Sequence, residues 1–280
     1  MKKSINAWSV DSNTGFKEMF FQLKRAGFDA VELNLDSAER SVHSLTLKTT
    51  DEELINIRHD AESAGIEIAS VSSSLYGIKL GNPEMHDDAE KILLHHIHCA
   101  KILGVDSILV VPGANIAAGH DILTAYNTVF EFLNRLKSKI EEEGIYVCLE
   151  NVWNGFFTSP FDMASFIDRL DSPFIKAYYD VGNTVAFSDT VSWIKILGQR
   201  IKRVHIKGFK RNRALNSGGL WVDITDADID WYRVIEALKD AKYDAYLTAE
   251  VSPVKSYENM EDFYKDVAMQ ESEILNLRKD

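Results

Sequence analysis

The feature that most narrows what this chain can fold into is the alternation of eight short apolar runs with amphipathic stretches along its length: Ser4–Ser9, Ala30–Leu35, Ile66–Ser72, Ser107–Pro112, Tyr146–Val152, Ile175–Val181, Ile201–Lys207 and Ala245–Val251. Most are dense in Val, Ile and Leu, as strands covered on both faces require. Apolar strands alternating with helical stretches are the pattern of βα units around a parallel sheet. The helices are punctuated at both ends. Thr50 with Glu53 forms a capping box, and Ser159-Pro160 and Asn82-Pro83 each place a cap before a first-turn proline. Gly27, Gly65, Gly104 and Gly144 each stand where a left-handed residue ends a helix, a few residues before the next strand. No Gly-rich phosphate fingerprint follows the first run, where Ser9-Val10-Asp11-Ser12-Asn13 stands, so a closed barrel is preferred to an open doubly wound sheet. The expectation is an α/β fold, a (β/α)8 TIM barrel, as a single domain over residues 1–280. Two long connections, 73–82 and 208–228, follow strands on the side where such barrels keep their chemistry.

A chain that is 45% hydrophobic and 26% charged has the balance of a globular protein with a sizeable core. Its net charge of −12 argues against a nucleic-acid partner, because phosphate binding is driven by Lys and Arg. Cys99 lies in a helical stretch and Cys148 in an apolar run, so buried free thiols are expected rather than a disulfide. The N-terminus carries two lysines without an apolar signal stretch, and no run approaches the roughly 20 apolar residues of a membrane span. The cytoplasm is the expected compartment.

The last four runs each end in a residue able to bind a metal: Glu150, Asp180, His205 and Glu250. Taken singly, a carboxylate at a strand end is more often a helix cap, and a His after Val a satisfied core residue. Four in succession at one position type, desolvated at a barrel mouth, need a compensating cation or hydrogen bonds, and a divalent metal answers that need. Three carboxylates and one imidazole favour Mn²⁺ or Mg²⁺, with Zn²⁺ or Co²⁺ also compatible. His95, His96 and His98 lack the i, i+4 spacing of a helical metal pair and are assigned surface and packing roles, while His43, His59, His86 and His120 have no evident partners.

The motifs Leu149-Glu150-Asn151, Asp180-Val181-Gly182-Asn183, Val204-His205-Ile206-Lys207 and Asp228-Ile229-Asp230-Trp231 resemble those of the xylose-isomerase-like sugar isomerases and epimerases over nearly the whole chain. The resemblance implies one metal held by Glu150, Asp180, His205 and Glu250, and a substrate that is a small sugar or sugar phosphate. It implies that Glu150 and Glu250 stand on nearly opposite sides of that metal, one removing a proton next to a carbonyl and the other returning it on the opposite face. Free-ketohexose epimerases of the family carry a Glu and a His where this chain has Phe156 and Asn183, and the Asp-x-Gly-Asn form is more similar to pentulose-phosphate 3-epimerases. Arg211 matches the family's substrate-contacting arginine, in the basic stretch Lys207 to Arg213, while Gly208 replaces a frequent acidic residue. Glu32 and Trp8, ending the second and first runs, are expected at the same mouth, Trp8 as a wall for a sugar ring or as plain core packing, and with Arg211, Asn183 and Lys207 they are the expected substrate-binding residues. A dehydratase of the inosose type is the alternative on this scaffold. An apurinic-endonuclease-like repair enzyme is a weaker one, since neither Ser70–Ser74 nor Val110–Gly113 offers the additional histidines it would need. Relatives are often dimers or tetramers, and the apolar patch Trp153, Phe156, Phe157 would suit a subunit contact or a substrate lid.

Overall fold

The computed structural model describes residues 1–113 and 121–278. His120 lies outside them. Eight parallel strands close into a barrel: β1 (Lys2–Asn6), β2 (Ala30–Leu35), β3 (Glu67–Ser73), β4 (Ser107–Val110), β5 (Tyr146–Glu150), β6 (Ile175–Asp180), β7 (Ile201–Ile206) and β10 (Tyr246–Ala249), with β1 pairing both β2 and β10. The open doubly wound sheet is thereby excluded. Around the barrel stand α1 (Phe16–Ala26), α2 (Asp51–Ala64), α3 (His86–Leu103), α4 (Ile122–Glu143), α5 (Pro160–Leu170), α6 (Val181–Val185), α7 (Thr190–Leu197), α8 (Trp231–Asp240) and α9 (Met260–Leu275).

The helix ends follow the sequence signals. Thr50 and Glu53 form the reciprocal capping box, Ser159 caps α5 ahead of Pro160, and Gly27, Gly65, Gly104 and Gly144 all take positive φ behind their helices. The first strand is shorter than its apolar run. Asn6 turns its side chain to accept the Trp8 amide at 2.8 Å, which ends β1 and starts a 3-10 turn over Ala7–Ser9. The long 208–228 connection also has structure of its own, an antiparallel hairpin of β8 (Gly208–Arg211) and β9 (Gly219–Val222). Gly208 is needed there, because a Cβ would stand 2.3 Å from the Val222 and Asp223 carbonyl oxygens. The residue that replaces an acidic side chain thus serves a close backbone approach.

Most of the apolar core lies between the barrel and its helices. The barrel lumen is different. Leu109, Cys148 and Tyr178 form a small separate cluster inside it, and two residues beyond Cys148 and Tyr178 stand Glu150 and Asp180. Arg203, two residues before His205, closes the opposite end, donating to the Ala69 carbonyl at 3.2–3.3 Å and pairing with Asp106 at 2.5 Å. Both cysteines are buried and free, and burial pushes each thiol up to about 12. Phe156 and Phe157 depart from the expected exposed patch. Both are buried, packing with Tyr126 and Phe166, and Trp153 alone of the three is exposed.

The helix histidines divide as surface and packing residues. His98 is half exposed beside Asp51, whereas His96 is fully buried, with Nδ1 3.0 Å from the Tyr76 hydroxyl and Nε2 3.0 Å from the Val71 carbonyl. Burial holds the His96 ring neutral, lowering its pKa from 6.5 to about 3. Between those two values the unfolded chain binds a proton that the folded chain refuses, so this group's contribution to stability is complete above pH 6.5 and is lost as pH falls toward 3. Urea unfolding from pH 6.5 to 5 should lose about 2 kcal/mol through this ring. His96→Gln should show a shallower slope by about one proton, and an unchanged slope would contradict a neutral buried ring.

Candidate metal centre

The site is built by strand register. β6 and β7 pair Asp180 with His205, β5 and β6 pair Glu150 with Tyr178, and the Glu250 amide donates to the Ile206 carbonyl at 3.1 Å. Side chains of one parity therefore converge on one layer at the C-terminal end of the lumen. Glu150, Asp180, His205 and Glu250 each offer a ligand atom, and these atoms lie within 4.8 Å of one another. Among the described residues this is the one such cluster of three or more. Asp180 also caps α6 by accepting the Asn183 amide at 2.8 Å, and the α6 backbone packs so closely on Lys207 that a Cβ on Gly182 would meet its side chain. The Asp-Val-Gly-Asn motif is thus a ligand, a close approach and a cap in one turn.

Charge at this layer is out of balance. Three carboxylates, two of them buried and Glu250 partly exposed, face the His205 ring and the Lys207 ammonium, which lies 2.8 Å from Asp180 and also pairs with Glu250. Burial, helped by Glu250 and Asp180, pushes Glu150 up to about 7 against the opposing pull of His205. Burial would raise Glu250 too, but Lys207 and His205 outweigh it and hold that carboxyl below its usual range. The same carboxylates hold Lys207 charged in spite of its burial. A divalent cation fits this set, since it neutralises the surplus negative charge and is matched by oxygen and imidazole donors.

Above the layer opens a cavity of about 500 Å³ lined by Trp8, Arg40, Lys207, Trp221, Glu250 and Ser252, among others. Trp8 stands at its edge on the 3-10 turn, its Nε1 donating to Asp36 at 2.5 Å while the Arg40 guanidinium lies 4.7 Å from its ring. Trp221 stacks on Trp153 and lies 5.5 Å from the Lys207 ammonium. A larger cavity of about 690 Å³ also uses Trp221, but its other walls are Trp153, Phe157, Phe187 and Phe209 and it contains none of the four ligand residues. Of the two, only the smaller one is lined by a residue of the cluster, Glu250.

Not every expected mouth residue reaches this cavity. Glu32 is fully buried below the ligand layer, because it accepts hydrogen bonds from Asn6, Ser70 and Tyr178 and lies against His205. Asn183 is also buried, donating to the Asn151 carbonyl at 3.0 Å, while its own carbonyl accepts Trp153 Nε1 at 2.7 Å. Arg211 sits on β8 outside the cavity wall, its guanidinium 3.4 Å from Asp228 and from the Val185 carbonyl. Arg40, Trp221 and Ser252 were not legible as site residues. They lie outside the strand ends, and only folding carries the β9 hairpin and the loop after β2 over the barrel mouth.

A closed eight-stranded barrel with a four-ligand cluster at its C-terminal mouth defines the structural class. Residues 20–271 match the xylose isomerase-like TIM barrel family, and the chain belongs to that family. The fold is similar to that of a D-psicose 3-epimerase from Clostridium cellulolyticum H10 solved with D-tagatose (TM-score 0.76, 16% identity, 99% of this chain and 100% of that one). It is similar to the IOLI protein solved with a bound zinc atom (TM-score 0.79, 15% identity, 98% of each chain). A third likeness is to a 3-keto-D-glucoside 4-epimerase from E. coli (TM-score 0.73, 15% identity, 97% of this chain and 99% of that one). No curated protein sequence is a match. No helix among the described residues is long and apolar enough to cross a membrane.

Metal content is the direct check on the ligand set. Wild-type protein loaded with Mn²⁺ and desalted is expected to retain one ion per chain by elemental analysis, and His205→Ala to lose it. Full retention in the variant would remove His205 from the site.

Proposed function

We propose that this chain is a divalent-metal-dependent sugar isomerase or epimerase that moves a proton on and off the carbon next to a carbonyl. The observation that carries the reading is the convergence of Glu150, Asp180, His205 and Glu250 beside a cavity of about 500 Å³ walled by two tryptophans. Tryptophan faces suit the apolar faces of a sugar, and the charged groups beneath suit its oxygens. The similarity in fold to two sugar epimerases supports the same reading. A cation held by the four ligands supplies charge stabilisation for substrate oxygens as the adjacent carbon loses its proton. Glu250, which lines the cavity, and Glu150, more deeply buried, exchange that proton at their carboxyl oxygens.

Lys207 is proposed to donate to a substrate oxygen from the cavity wall, and Trp8 to pack against the sugar. Asn183 is proposed to hold the Glu150 strand end and Trp153 in place through its backbone contacts. Arg211 is proposed to grip a substrate oxygen or phosphate: its pair with Asp228 is partly exposed, worth no more than about 1 kcal/mol, so the guanidinium is free to exchange partners. Arg211→Ala should raise KM at least tenfold on the best substrate with little change in unfolding free energy. Wild-type kinetics in that variant would exclude the contact.

The chemistry is tested by turnover in D₂O on a panel of ketoses, ketose phosphates and inososes, with NMR identification of products. Deuterium is expected on the carbon next to the carbonyl. Glu150→Gln and Glu250→Gln should each abolish turnover, because an amide cannot carry the proton. Product formed at full rate without solvent deuterium would replace proton transfer by a hydride shift, and loss of water from the substrate would make the enzyme a dehydratase.

A further inference from the structure

Beneath the ligand layer, Glu32 joins five strands through one carboxylate. Its Oε1 accepts Asn6 Nδ2 at 2.6 Å and faces His205 Nε2 at 2.7 Å, and its Oε2 accepts the hydroxyls of Ser70 at 2.5 Å and Tyr178 at 2.6 Å. Those donors come from β1, β7, β3 and β6. Two of the strand pairings are irregular at this point: the β2–β3 register shifts between Val31 and Glu32, and the β6–β7 register shifts between Ala177 and Tyr178. Register shifts re-aim side chains, and here both occur at residues of the same hydrogen-bonded group. The carboxylate is fully buried and lies outside the ligand set, so substrate and solvent do not explain it.

The other face of the same imidazole explains it. His205 Nδ1 lies 3.0 Å from Glu150 and 3.8 Å from Glu250, on the side where the ligands converge, while Nε2 faces Glu32. A carboxylate can only accept, so the ring nitrogen facing Glu32 must carry a proton. Without a cation the charged ring can donate from both nitrogens, Nδ1 to Glu150 and Nε2 to Glu32; a cation would displace the Nδ1 proton, leaving that lone pair as its ligand while Nε2 stays protonated on Glu32. We propose that Glu32 is the positioning residue of the centre, fixing the His205 tautomer and orientation so that Nδ1 is its ligand atom. Tyr178 and Ser70 orient Glu32 in turn, and the Tyr178 ring packs 4.4 Å from the imidazole centroid. This inference rests on the metal centre proposed above, and its test separates the two.

Glu32→Gln keeps the shape and hydrogen-bonding capacity of the group, since the Ser70 and Tyr178 hydroxyls can rotate to accept from the amide, and removes only its charge. Zinc affinity is measured by competition with a chromophoric chelator, and the His205 ring nitrogens by long-range ¹⁵N–¹H NMR of the zinc-loaded protein. The wild type is expected to show a protonated Nε2 with a metal-bound Nδ1. Glu32→Gln should fold with an unchanged melting temperature yet bind zinc about 10–100-fold more weakly. Tyr178→Phe and Ser70→Ala, which retain the carboxylate, should show smaller losses and keep the inference testable if Glu32→Gln fails to fold. A role in packing alone would be rescued by Gln. Unchanged zinc affinity in folded Glu32→Gln, undiminished affinity in both hydroxyl variants, or a metal-bound Nε2 in the wild type would overturn the clamp while leaving the centre standing. A wild type that binds no zinc would overturn the centre and the clamp together.

Discussion

Three carboxylates held together at the end of a barrel are the constraint around which the rest of this structure is arranged. Like charges brought within a few ångströms in a desolvated lumen repel, and the cost is met locally. Lys207 bridges Asp180 and Glu250, His205 stands against Glu150, and Glu150 itself is pushed up to about 7. The surplus that remains matches a divalent cation. Parallel strand pairing makes the arrangement enforceable, because Asp180 and His205 are register partners and Glu250 follows directly on a strand hydrogen-bonded to β7.

The lumen below is graded to support that layer. Arg203 and Asp106 close the far end, Leu109, Cys148 and Tyr178 fill the middle with apolar surface, and Glu32 with its donors lies between the middle and the ligands. Burial by itself would raise the Glu32 carboxyl above its usual range. The charge of His205 and the bonds from His205, Ser70 and Tyr178 outweigh burial and keep it ionised below the usual carboxylate range. Rigidity in this polar column follows from its partners, since moving any of these side chains strips a buried charge of a hydrogen bond.

Specificity is placed on different elements from the chemistry. The ligands ride on barrel strands, whereas the cavity walls come from the turn after β1, the loop after β2, the β8–β9 hairpin and the segment after β10. This division lets loops change the substrate while the ligand layer stays fixed. Gly208 belongs to it: the backbone crowding that forbids a side chain there seats the hairpin that brings Trp221 over Lys207.

The sequence by itself determined the period of the fold and singled out the four candidate ligands. Apolar runs separated by capped helices permit few alternatives, and Glu150, Asp180, His205 and Glu250 stand out because a charge ending an apolar strand is costly wherever it falls. Only tertiary structure decided the direction each remaining side chain takes. Glu32 reads like another strand-end carboxylate, yet a register shift of one residue aims it beneath the site rather than into the mouth. Phe156 and Phe157 read as an exposed patch, yet the packing of α4 and α5 buries them. Arg40 and Trp221 carry no local signal, because their place at the mouth depends on how a loop and a hairpin fold back over the barrel. Periodicity and charge cost act within a few residues and can be read from neighbours in the chain. Aim and enclosure depend on contacts between residues more than a hundred positions apart, such as Glu32 with Tyr178 and His205, and exist only once the barrel has closed.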